Sequence, residues 1–115
     1  MYMVQTLPTV YVDNNTGMTL ANITITFDGS EAKEPTFKKI KSGERVSMAL
    51  YNKFVGKRDV YMKYYNEKLR ITERQVIFEG LDSTFLGTMG TILVEVKSKQ
   101  KDGRFLLDIT KNFTL

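Results

Sequence analysis

The chain has 115 residues, 42% of them hydrophobic, with 17 basic and 13 acidic side chains and a formal charge of +4. This length suits one domain with one hydrophobic core, read as residues 1–115, and a charged fraction of 26% with two prolines does not describe a disordered chain. Histidine, cysteine and tryptophan are absent, which excludes imidazole bases, thiolate nucleophiles, Cys/His metal cages and a disulfide framework.

Taken in chain order, Met1–Pro8 lacks the basic start and apolar run of a secretory signal. No segment approaches the ~20 apolar residues of a membrane-spanning helix. With Met1 as the natural start, a cytoplasmic location is expected. From there the dominant pattern is period two, which marks strands with one face buried. A first strand is expected at Thr9–Asp13, followed by a turn at Asn14-Asn15-Thr16-Gly17. In Asn22–Asp28, Ile23, Ile25 and Phe27 share one face and Thr24 and Thr26 the other, wet face. Asp28-Gly29-Ser30 closes that strand. A short strand at Phe37–Ile40 is divided by Lys41-Ser42-Gly43-Glu44 from one in which Val46, Met48 and Leu50 alternate with Arg45, Ser47 and Ala49. Next, Val60, Met62 and Tyr64 alternate with Tyr61, Lys63 and Tyr65.

Glu67–Leu81 fits either a helix or a strand by spacing. Its β-branched content favours strand, at Leu69–Thr72 and Val76–Phe78, with a bend near Glu73-Arg74-Gln75. Three glycines in Gly80–Gly90 point to a loop. The strands around Ile92, Val94, Val96 and around Phe105, Leu107, Ile109 flank Asp102-Gly103. That dipeptide predicts a two-residue type I′ hairpin, with Lys97 opposite Asp108 and Val96 opposite Ile109. Leu93 and Leu106 then fall on the outer side, where they require cover within the domain or an oligomer contact.

Seven or eight short strands at this spacing predict an all-β antiparallel sandwich, with a small β-barrel as the alternative. The segments Asn15-Thr16-Gly17…Leu20…Asn22-Ile23 and Phe37…Ile40…Ser42-Gly43-Glu44 resemble the opening strands of bacterial immunoglobulin-like sandwiches. In many of these an asparagine–x–glycine turn precedes the second strand and a glycine–glutamate turn the fourth. The resemblance spans roughly the first third of the chain and implies a fold, not an activity.

Charge is unevenly spread. Residues 1–35 hold one basic and four acidic groups, residues 36–74 hold eleven and four, and residues 75–115 hold five of each. The basic middle is also rich in tyrosine. If the strands 45–51 and 59–65 are neighbours, then Arg45, Tyr51, Tyr61, Lys63 and Tyr65 face outward, and Lys53, Lys57 and Arg58 lie in the connection. Such a surface suits an acidic protein partner, with tyrosines as anchors, or stacked bases on a phosphate backbone.

Other motifs carry less. Asp13–Gly17 has oxygen donors, but glycine falls at the fifth position of an EF-hand register and Thr24 at the twelfth, so a hairpin turn is expected in place of a calcium site. Gly87-Thr88-Met89-Gly90 matches an RNA-binding loop without its flanking helices. Asn14-Asn15-Thr16, Asn22-Ile23-Thr24 and Asn112-Phe113-Thr114 are formal glycosylation sequons without a secretory signal. The scattered carboxylates form no spaced pair for acid–base work. The expectation is therefore a non-catalytic interaction module without metal or cofactor. Its partner would be an acidic protein surface, with nucleic acid, an apolar ligand inside a barrel, or a homo-oligomer contact as alternatives.

Overall fold

Alternation of apolar and polar side chains organises the backbone into strands throughout. The computed structural model describes residues 9–27, 36–49, 58–81 and 91–111. Their strands are β1 (Thr9–Asn14), β2 (Leu20–Phe27), β3 (Thr36–Ile40), β4 (Arg45–Ala49), β5 (Arg58–Asn66), β6 (Ile71–Leu81), β7 (Thr91–Lys99) and β8 (Phe105–Lys111). They form two four-stranded sheets, β4–β1–β7–β8 and β3–β2–β5–β6. Every pairing is antiparallel except that of β1 with β7. No ladder joins the two sheets among the described residues, so the architecture is a two-layer, sandwich-like all-β fold, not a closed barrel.

The core lies between the layers. Val10, Val12, Ile92, Val94 and Val96 from one sheet meet Ile23, Ile25, Val60, Met62 and Ile77 from the other, all of them buried. Burying one such side chain fully is worth about 1.5–3 kcal/mol. The faces expected for β4 and β5 are those observed: Val46 and Met48, and Val60, Met62 and Tyr64, turn inward.

Several local expectations are corrected. The strands 45–51 and 59–65 are not neighbours, because β4 pairs with β1 and β5 pairs with β2 and β6. The cause is the turn after β3. Gly43, at φ +81, donates its N–H to the Asn14 carbonyl at 2.7 Å, and the Asn14 N–H reaches the Glu44 carbonyl at 3.0 Å. The chain is thereby handed across to the free edge of β1. Asn15–Gly17 likewise links β1 to β2 across the two sheets and is not a hairpin turn within one sheet. Thr24 and Thr26, read as wet, are buried because β2 is an interior strand between β3 and β5. The two hydroxyls of Thr24 and Thr36 lie 2.8 Å apart.

Within the 67–81 segment Ile71–Leu81 is strand, as expected, but residues 67–70, including Leu69 and Arg70, form the preceding turn. No bend falls at Glu73–Gln75, which keep regular register with Tyr64, Lys63 and Met62. The irregularity comes later, between Arg58 and Tyr61 on β5, where the Gly80 N–H bonds the Asp59 carboxylate at 2.9 Å. Gly80 and Leu81 are strand; the rest of the glycine-rich stretch, including Gly87–Gly90, lies outside the described residues, as does the Asn112 sequon.

The last hairpin has a three-residue loop, Lys101-Asp102-Gly103, in place of the two-residue turn. Gly103 alone takes positive φ there, at +88, and its N–H bonds the Gln100 carbonyl at 2.9 Å. The register moves accordingly. Val96 faces Leu107 and Glu95 faces Asp108, with a shift between Val96 and Ser98. Lys97 still reaches Asp108, its Nζ lying 3.7 Å from Oδ2. Leu93 is half-buried, whereas Leu106 remains exposed, so the cover expected for the pair is incomplete.

Turns 15–19, 41–44, 67–70 and 100–104 all gather at one end of the sandwich, since the strands alternate in direction. Two buried asparagines organise that end. Asn14 donates to the Met18 and Ile40 carbonyls at 2.7 and 2.8 Å and accepts from Thr16. Asn66 accepts from the Lys68 and Leu69 N–H groups and donates to the Asp102 carbonyl at 2.9 Å and to Glu73 at 3.2 Å. Beside Asn66 the edge strand β8 is fastened to the opposite sheet. The Phe105 N–H donates to the Tyr64 hydroxyl at 2.9 Å, and Gln75 Nε2 donates to the Phe105 carbonyl at 3.1 Å. Tyr64 in turn donates to Gln75 Oε1, and the Tyr64 and Phe105 rings stack with centroids 4.0 Å apart.

Two predictions follow from this end. A Cβ at Gly103 would collide with the Asn66 side-chain amide, whereas one at Gly43, equally left-handed, meets nothing within 4 Å. Gly43→Ala should cost only the left-handed penalty, about 1–2 kcal/mol, and Gly103→Ala distinctly more. Urea unfolding of both variants measures this, and equal losses would mean that Asn66 yields without cost. Second, burial foremost, then Glu73 and Asp102, hold the Tyr64 hydroxyl above the ordinary phenol value against the Phe105 bond and Arg104. Tyr64→Phe leaves the Phe105 N–H and Gln75 Oε1 without this partner and should cost about 1–3 kcal/mol. Because the folded pKa is raised, that contribution is complete below about pH 10 and is lost as pH rises through the shifted value. The stability gap between the two proteins should therefore stay constant up to about pH 10 and narrow above it; a gap that does not narrow there contradicts the assignment.

Candidate functional site

The basic, tyrosine-rich residues divide between two surfaces. Tyr61, Lys63 and Tyr65 alternate with the buried Val60, Met62 and Tyr64, so all three emerge on the outer face of the β3–β2–β5–β6 sheet. Tyr65 is the most open, while Tyr61 and Lys63 are half-buried. Arg45 stands on the outer face of the other sheet. There its guanidinium makes a two-pronged contact with Asp13, Nε to Oδ1 at 2.5 Å and Nη2 to Oδ2 at 2.8 Å. The Asp13 carboxylate, through that bond, holds Arg45 above its ordinary pKa. Arg45 thus cannot share a contact surface with Tyr61, Lys63 and Tyr65, contrary to the expectation from sequence. Tyr51, Lys53 and Lys57 lie outside the described residues, and Arg58 is described only as the first residue of β5, in register with Leu81.

The structure adds one residue to the face. Arg74 of β6 lies in register with Lys63, and its Cζ sits 4.5 Å from the centroid of the Tyr61 ring. An exposed cation–π contact of this kind is worth about 0.5–1 kcal/mol. Val76 and Thr72, in register with Tyr61 and Tyr65, complete the row on β6. Arg74 was hidden in the sequence because β6 reverses the usual pattern. Its inner positions include Glu73 and Gln75, committed to Asn66, Arg104, Tyr64 and Phe105, while apolar Val76 is exposed. The surviving signal is position: Thr72, Arg74 and Val76 are spaced by two, opposite Tyr65, Lys63 and Tyr61.

On the opposite outer face, Arg45, Asp13, Glu95 and Asp108 form one cross-strand row over four strands. Each acid in it has a partner: Asp13 the Arg45 guanidinium, Glu95 the Asn15 amide at 2.8 Å, and Asp108 the Lys97 ammonium at 3.7 Å. Among the described residues, no three acidic side chains come together as metal ligands would. The Asn14 sequon is occupied structurally, since its side chain is buried and fully bonded. No helix among the described residues is long and apolar enough to cross a membrane.

No family model and no curated protein matches the chain. A solved structure, the NMR structure of a protein from Eubacterium rectale, is similar over 91% of this chain and 89% of that one, with a TM-score of 0.51 and 19% sequence identity. At that identity the likeness concerns the fold alone.

Proposed function

We propose that this domain is a non-catalytic interaction module of immunoglobulin-like layout, which binds an acidic protein surface through the outer face of β5 and β6. One observation carries the proposal. Tyr61, Lys63 and Tyr65 share a face, and the β6 register sets Arg74 beside them. Two cations spaced among tyrosine rings combine electrostatic steering with rigid apolar contact area. The glycine turns after β1 and β3 and the two-sheet arrangement support the immunoglobulin-like layout. Arg45 has no part in this surface.

Lys63→Glu combined with Arg74→Glu tests the proposal, with Arg45→Glu as the control and polyglutamate as the acidic probe. The double reversal should weaken polyglutamate binding by about tenfold or more, and the control should bind like the parent. Unchanged binding by the folded double variant refutes the role of this face. A single-stranded oligonucleotide bound in preference, with affinity falling steeply as salt rises, would assign the face to nucleic acid instead.

A further inference from the structure

The geometry points to a second contact surface, at the end of the sandwich where turns 67–70 and 100–104 meet: a tip that docks on an anionic membrane surface. Leu69, in the turn 67–70, and Ile71, the first residue of β6, are both 45% exposed there, and the turn also holds the exposed Lys68 and Arg70. The neighbouring turn is held against it by the bond from Asn66 to the Asp102 carbonyl and adds the exposed Lys101. Aliphatic side chains at a tip, ringed by lysine and arginine, match the chemistry of an interface whose headgroups are negative and whose next layer is hydrocarbon. Glu67 and Asp102 lie within the same two turns and offset part of this charge, leaving four cations against two acids in this pair of turns, with Arg104 engaged by Glu73 of β6.

The backbone supplies an independent sign. Arg70 adopts φ +57, a conformation in which glycine or asparagine is the inexpensive choice. A strained residue kept in place by its surroundings directs attention to what its side chain does, and here it keeps a cation beside Leu69 and Ile71. The turn is also pre-shaped, since the Asn66 side chain accepts the N–H groups of both Lys68 and Leu69.

Sedimentation with extruded vesicles decides the matter, using phosphatidylcholine alone and phosphatidylcholine with about one-third phosphatidylserine. The parent protein should partition to the anionic vesicles and not to the neutral ones. Leu69→Ser with Ile71→Thr, and separately Lys68→Glu with Arg70→Glu, should each reduce partitioning about tenfold or more. Arg70→Gly should relieve the backbone, raise Tm and still weaken partitioning. Lys63→Glu with Arg74→Glu should leave partitioning unchanged, which separates this surface from the sheet face. Absence of the parent protein from anionic vesicles overturns the inference. So does full partitioning by the Leu69→Ser, Ile71→Thr variant, or polyglutamate binding that depends on Lys68 and Arg70, which would assign the tip to an acidic protein.

Discussion

Phe105 opens an edge strand, and both of its backbone polar groups are bonded to side chains of the opposite sheet. Tyr64 receives its N–H and Gln75 donates to its carbonyl, while the Tyr64 ring stacks on the Phe105 ring. An unsatisfied backbone group at a buried position costs about 1–3 kcal/mol, and an open edge invites pairing with another chain. This seam removes the first liability at Phe105 and closes the start of the edge. It also fixes how the two layers lie on one another, since β5 and β6 can supply these groups only if β8 runs beside them. Glu73 extends the seam through Arg104 and Asn66, and the inward charge is itself a device that discourages edge pairing.

The surfaces follow from that arrangement. Because Tyr64 is drawn inward to Phe105, its neighbours Tyr61, Lys63 and Tyr65 are turned to the outer face. Because Glu73 and Gln75 serve the seam, Arg74 is turned outward beside them. The Asn66 amide, which shapes turn 67–70 and ties it to Asp102, sets Leu69 and its basic neighbours at the end of the molecule. One polar network therefore places the residues of two separate surfaces. The opposite outer face is different in kind, with its acids engaged by Arg45, Asn15 and Lys97.

Much of the strand layout was legible from period two alone. The inner faces of β1, β4, β5 and of β7 as far as Val96 alternate regularly, and side chains of opposite character on a pleated strand can be sorted with no knowledge of partners. Legibility failed where polar groups were buried or apolar ones exposed. Thr24 and Thr26 read as wet because their hydroxyls are polar, yet β2 is an interior strand. Glu73 and Gln75 read as a bend because the seam needs polar side chains inside. The Asp102-Gly103 turn suggested positive φ at two residues, and only Gly103 takes it, because the loop has three residues and needs a left-handed backbone at its last position alone.

By itself, then, the sequence determined the all-β class, most strand positions, the inward and outward faces of β5, and the absence of histidine and cysteine chemistry. These are local properties, set by side-chain type, spacing and turn residues. Tertiary structure alone decided that β4 leaves β3 to pair with β1, that β1 runs parallel to β7, and that Arg45 stands on the opposite face from Tyr61, Lys63 and Tyr65. Strand partners depend on backbone hydrogen bonds between distant segments, which carry no side-chain signature. What commits β4 is the contact of Gly43 and Glu44 with Asn14, residues about thirty apart in the chain and brought together only when the two layers close.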